Sequence, residues 1–223
     1  MKRLASIGVL LAAALGLAAC SSGSSSNGIP NESATQIVNS VGNALGSAKS
    51  VAISGNATQS GTAVTFTIST FSNGSFTGNI SDNGTSFKLI KIGSTDYLNA
   101  TAAYYEKQGV PASAAGEVGG KWIYAPDSQF GFGNSFVLSE LEKSVKSPTG
   151  KVTKGASGTI GGQPAQAVVS SQGTLWVATT GPAFPLELTK NGSSSEKITF
   201  SDWNEGTPPV APSGAIALSS LGG

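Results

Sequence analysis

In the stretch Thr62-Ala63-Val64-Thr65-Phe66-Thr67-Ile68-Ser69, apolar Val64, Phe66 and Ile68 alternate with Thr65, Thr67 and Ser69. Successive strand side chains point to opposite faces, so this period of two predicts a strand with one buried and one wet face. Asn73-Gly74 follows, a pair suited to a tight hairpin because its residues tolerate positive φ. The pattern continues through a strand at 75–81, a turn at Asn83-Gly84, a strand at 85–92, a turn at Gly93-Ser94 and a strand at 95–99. This part of the chain reads as an antiparallel meander with short connections.

On the N-terminal side of the meander the period becomes helical. Ser33 and Gln36 have the spacing of a capping box, and Ile37, Val41, Leu45 and Ala48 fall on one face of a helix over 34–48, widened by Val38 and Ala44. Gly42 and Gly46 weaken that helix, so it is expected to depend on packing against the sheet.

On the C-terminal side, 102–108 reads as a short helix carrying Tyr104 and Tyr105, followed by a Gly/Ala stretch to Gly120 and a short strand at 121–124. Residues 127–136 are loop-rich and hold Phe130, Phe132 and Phe136. A second amphipathic helix over 137–145 presents Leu138, Leu141 and Val145 and stops before Pro148 and Gly150. Strands are expected at 151–154, 166–170, 174–179, 186–190 and 197–202, with turns at Gly161-Gly162, Gln172-Gly173 and Asn191-Gly192. The predicted class is α+β.

The start of the chain carries different information. Lys2 and Arg3 precede an apolar run over 4–16, which ends on Leu17-Ala18-Ala19-Cys20. A charged start, a short apolar core and small residues at the exit mark a secretory signal. The run is shorter than the roughly 20 apolar residues of a membrane-spanning helix. The tetrapeptide resembles the bacterial lipobox, in which the chain is cut before a cysteine that receives a diacylglyceryl thioether. Residues 1–19 are therefore expected to be a lipoprotein signal peptide and Cys20 a lipid anchor. Residues 20–31 form a Ser/Gly tether, 32–205 the folded domain, and 206–223 a Pro/Gly/Ser-rich tail. The expected location is the extracytoplasmic face of the cell membrane.

Composition narrows the chemistry. Removing the signal leaves 11 of the 13 basic residues against 12 acidic ones, a net charge of −1, which gives no electrostatic footprint for nucleic acid. The chain has no histidine, and its single cysteine is Cys20. Ser-His-Asp and Cys-His catalysis, most zinc and copper sites, and internal disulfides are thereby excluded. The acids are scattered without calcium-loop spacing, so no metal, no cofactor and no catalytic residue is expected, and the chain does not read as an enzyme.

Several segments together resemble the LppX/LprG-type lipoproteins of actinobacteria, which are related in fold to the LolA lipoprotein carriers. They are Gly46-Ser47-Ala48-Lys49-Ser50-Val51, Ile92-Gly93-Ser94-Thr95-Asp96-Tyr97-Leu98, and Tyr104-Tyr105 leading to Gly120-Lys121-Trp122-Ile123. To these are added Gly173-Thr174-Leu175-Trp176-Val177-Ala178, Phe184-Pro185-Leu186-Glu187-Leu188 and Ile198-Thr199-Phe200-Ser201-Asp202-Trp203. The resemblance implies a strongly curved antiparallel sheet, an open half-barrel, with helices packed on its concave face. It also implies an apolar space between sheet and helices that holds acyl chains of a lipid or glycolipid.

Candidate lining residues are Val64, Phe66, Ile68, Phe76, Ile80, Phe87, Leu89 and Leu98 on the strands, with Ile37, Val41, Leu138 and Leu141 on the helices. The alternative is a filled core in an anchored cell-envelope module that works through protein interaction at its surface. The sequence leaves the oligomeric state open.

Overall fold

The computed structural model describes residues 25–221 apart from residues 60, 83 and 192–195. Cys20 and the preceding Leu17, Ala18 and Ala19 lie outside the described residues. The elements run in chain order as α1 (Ala34–Ser47), β1 (Ser50–Gln59), β2 (Thr62–Phe71), β3 (Phe76–Asp82), β4 (Thr85–Ile92), β5 (Thr95–Ala100), α2 (Ala102–Lys107) and α3 (Ala112–Val118). They continue as β6 (Trp122–Pro126), α4 (Asp127–Phe130), α5 (Leu138–Lys146), β7 (Thr153–Ile160), β8 (Gln163–Val169), β9 (Gly173–Ala178), β10 (Pro185–Lys190), β11 (Lys197–Ser201) and β12 (Ile216–Ala217).

Among the described residues the strands form one sheet, in the order β12-β6-β5-β4-β3-β2-β1-β11-β10-β9-β8-β7. Two meanders account for it. The first runs from β1 to β6 and the second from β7 to β11, and pairing of β1 with β11 joins them. All pairs are antiparallel except β12 with β6. The outer strands β12 and β7 do not meet, so the sheet is a curved, open half-barrel rather than a closed barrel.

The hairpin signals act where they stand in the sequence. Gly74 takes φ +81° in the turn between β2 and β3, a conformation open to glycine at little steric penalty. Helix α1 begins with the capping box: Ser33 Oγ accepts from Gln36 N–H, and Ser33 N–H donates to Gln36 Oε1 at 2.9 Å. Its apolar stripe, Ile37, Val41 and Leu45, is buried against Val51, Ile53, Val168, Val177 and Phe200 of the sheet.

Gly42 and Gly46 prove to be a seat for α5. A Cβ on Gly42 would overlap the Lys146 side chain, and one on Gly46 would lie 3.1 Å from the Glu142 carboxylate. Lys146 and Glu142 pair across one turn of α5 at 2.6 Å.

Several regions hold more structure than the sequence pattern indicates: the expected loop at 127–136 begins with the one-turn helix α4, and the strand expected at 151–154 is instead β7, which starts at Thr153 and runs on to Ile160. The Gly/Ala stretch contains α3, which starts after Pro111 and buries Ala115 and Val118; alanine's helix propensity outweighs Gly116 there. Upstream, Ser26 bridges to Thr180, and Ile29 is buried. Downstream, the chain beyond Pro212 returns to add β12 beside β6, pairing Ile216 with Ile123.

Candidate functional site

Strand register carries a single inward face across the whole sheet. In one direction Gly55 stands beside Phe66, Phe66 beside Ile80, Ile80 beside Phe87 and Phe87 beside Ala100. In the other, Ile53 stands beside Phe200, Ile198 beside Leu188, Leu188 beside Leu175 and Leu175 beside Val168. The helices cover this face, and its two halves are covered differently.

Over β2–β6 the cover is aromatic. Phe136 packs on Phe66 and Phe76 with ring centroids 6.4 and 5.6 Å apart. Phe132 and Tyr104 lie over Phe87 at 5.9 and 5.0 Å. Ile68, Phe76, Leu89 and Leu98 below them are buried, together with Tyr105, Ala115 and Val118 of α2 and α3. Burial pushes the Tyr105 phenol up to about 12.

A charged pair enters this half. Lys91 and Asp96 face inward on adjacent strands, each nearly fully buried, with Nζ and Oδ1 3.6 Å apart. Lys91 Nζ donates to Asp127 Oδ2 at 2.9 Å, which ties the start of α4 to the sheet. Desolvation holds the Asp96 carboxyl above its ordinary range, while the hydrogen bond from Lys91 holds Asp127 below it.

Over β8–β11 the cover is α1 and α5, and between them and the strands lies a pocket of about 680 Å³. Val38, Leu141, Val145 and Val152 line the helical side, and Val168, Leu175, Leu188, Ile198 and Phe200 line the sheet. Hydroxyl, amide and charged groups of Ser144, Thr149, Ser170, Ser171, Gln172, Thr189, Lys190, Asn191, Glu196 and Lys197 complete the lining.

The rim is braced by its own bonds. Asn191 Nδ2 donates to Ser170 O at 2.9 Å, and Ser170 Oγ accepts from the N–H groups of Gln172 and Gly173. Both rim lysines are paired: Lys190 with Glu196 at 2.7 Å and Lys197 with Glu187 at 3.3 Å. The hydrogen bond from Lys190 keeps the Glu196 carboxyl below its ordinary range. The result is an apolar wall under a hydroxyl- and amide-rich mouth.

Of the residues singled out from sequence, Leu141 lines this pocket. Ile37, Val41 and Leu138 are buried in the core between α1 and the sheet. Ile68, Phe76, Ile80, Phe87, Leu89 and Leu98 are buried in the aromatic half, with Val64 and Phe66 packed half-buried against it. The strand positions all share the inward face. The sheet residues around the pocket carry the same period-two signal in Leu175 and Val177 and in Ile198 and Phe200.

Two local features hide that signal further along. Gln166 interrupts the inward face of β8, buried with its Nε2 donating to Gly155 O at 2.8 Å. A β-bulge in β10 between Pro185 and Glu187 sends Leu186 to the other face, where it packs with Ala165 and Ala178.

No family model matches the chain, and no curated protein sequence matches it significantly. Comparison of folds is more informative. LprF from Mycobacterium bovis superposes with a TM-score of 0.55 at 15% identity, covering 82% of this chain and 97% of that one. An uncharacterized conserved protein from Thermus thermophilus aligns with a TM-score of 0.45 at 8% identity, over 83% of this chain and 98% of that one. In the MucA/MucB complex of Pseudomonas aeruginosa the matched chain gives a TM-score of 0.37 at 13% identity, with 84% of this chain covering 60% of that one.

The fold is an α+β open half-barrel. It is the fold found in LprF.

Proposed function

We propose that the chain is an extracytoplasmic lipoprotein, held to the cell membrane by a diacylated Cys20, that binds an acyl chain in the pocket beneath α1 and α5. The pocket itself carries the reading. Its wall is aliphatic on both sides, and each methylene moved into it from water gains about 0.8 kcal/mol. With a methylene taken as about the volume of a water, about 30 Å³, a 680 Å³ pocket accommodates about one long chain with part of its head group. The mouth offers hydroxyls and amides to a polar head, and both of its lysines already have carboxylate partners. Two acyl chains on Cys20 would hold the protein stably at the bilayer. The role is binding or carrying, not catalysis.

The test uses the chain from Ser21 onward, expressed without its anchor in the native bacterium. Native mass spectrometry is expected to find it partly loaded with a co-purifying lipid that solvent extraction releases. A bare protein mass with an empty extract overturns acyl binding and leaves the protein-interaction module as the reading to pursue.

A further inference from the structure

We infer that the domain stands on its membrane by the end opposite the pocket mouth, so the pocket opens away from the leaflet that holds Cys20. This rests on Cys20 being the lipid anchor, as proposed above.

The first described part of the chain is fixed to one end of the sheet. Ser26 bridges to Thr180, and Asn27 N–H donates to Thr179 O at 3.0 Å. The Asn27 side chain donates to Ala178 O and Gly181 O at 3.0 and 2.9 Å. These partners lie at the C-terminal end of β9 and in the turn that leads into β10. The N-terminal end of β9, Gly173, belongs to the mouth, as does the C-terminal end of β10, Lys190. β9 has six residues, whose five steps of about 3.3 Å separate its two ends by about 17 Å. β1 repeats the polarity: Asn56 and Ala57 line the pocket, while Ser50 lies at the anchored end, where its carbonyl accepts from Asn204 N–H.

Reach then decides the posture. Six Cα steps join Cys20 to Ser26, which span at most about 21 Å when fully extended. β1 runs nine steps from Ser50 at the anchored end to Gln59 past the mouth, about 30 Å at about 3.3 Å per step. Standing on its mouth, the domain would hold Ser26 farther from the bilayer than the chain can span. Standing on the 179–184 turn and the 202–206 segment, it leaves the connection slack. The mouth is then presented to the aqueous side, and ligand enters and leaves there without passing through the protein's own leaflet.

The test is a pair of single-site fluorescent labels on the full-length acylated protein, at Pro182→Cys near the anchored end and at Gln172→Cys on the mouth. The vesicles are phosphatidylcholine with phosphatidylglycerol and carry a spin-labelled head group as quencher. Flotation is measured first. With floating protein, quenching at position 182 is expected to exceed that at position 172 several-fold. Equal quenching, or stronger quenching at 172, overturns the orientation and leaves the anchor intact. Protein that fails to float, with Cys20 itself taking up the label, overturns the anchor and this inference with it.

Discussion

The two halves of the inward face begin from the same sequence pattern and end as different structures. In the β2–β6 half, alternation in the strands meets a cover that brings its own large rings, and Phe132 and Phe136 from a loop settle onto Phe66, Phe76 and Phe87. In the β8–β11 half, the cover is two helices spaced by their own contact at Gly42 and Gly46; the loop rings of that half, Phe184 and Trp203, stack on each other beside Phe200 and do not line the pocket with Val168, Leu175, Leu188 and Ile198. A sheet face fixes which residues turn inward. Whether that face is filled or left open depends on the side chains brought to it from elsewhere in the chain.

Substitutions can break this contrast in graded fashion. Phe76→Ala in the filled half removes a fully buried ring and is expected to lower unfolding stability by about 3–5 kcal/mol. Lipid loading of the remaining folded protein should be unchanged; urea titration and native mass spectrometry report the two quantities. Gly42→Leu forces α5 off its seat on α1. An overpacking loss of about 1–3 kcal/mol is expected, together with a change in lipid loading, because α5 forms one wall of the pocket.

Leu188→Glu should have the reverse profile of Phe76→Ala. Leu188 is half-buried at the pocket wall, so stability should fall by about 1 kcal/mol while bound lipid is lost. If Phe76→Ala empties the protein and Leu188→Glu does not, the assignment of the two halves is inverted.

The smallest effect is in the pH profile. The Asp127 carboxyl is held below its unfolded value of 3.8 by Lys91. Its contribution is present above that pH and lost as pH falls through the folded value. Asp96 is raised by burial above 3.8, so its folded form gains stability as pH falls through its folded value. Denaturant midpoints measured from pH 7 to pH 3 should therefore rise and then fall. Asp96→Asn should remove the rise, and Asp127→Asn should blunt the fall. A wild-type profile without the rise contradicts the burial of an ionised Asp96.

The fold was largely legible because its signals are local. Alternation at 62–69, Asn73-Gly74 and the Ser33/Gln36 cap each act within a few residues. The position of the pocket was much less legible. Phe130, Phe132 and Phe136 lie in a stretch without periodicity, and nothing local says that two of these rings will lie on β2–β4. Gly42 and Gly46 look like helix weaknesses until α5 is placed on them. In β8 and β10, a buried glutamine and a one-residue bulge interrupt the pattern that would have marked the pocket wall. The helix α3 was obscured by Gly116 and the following Gly119-Gly120, although its alanines favour helix.

The most direct test places a paramagnetic acyl chain in the protein. A fatty acid spin-labelled along its chain is titrated into the chain from Ser21 onward, and methyl resonances are followed by NMR. Acyl binding in this pocket is expected to broaden the Val168, Leu175, Leu188 and Ile198 methyls selectively, with those of Ile68, Leu89 and Leu98 left sharp. Broadening centred on Ile68, Leu89 and Leu98, or no broadening at saturating fatty acid, would contradict it.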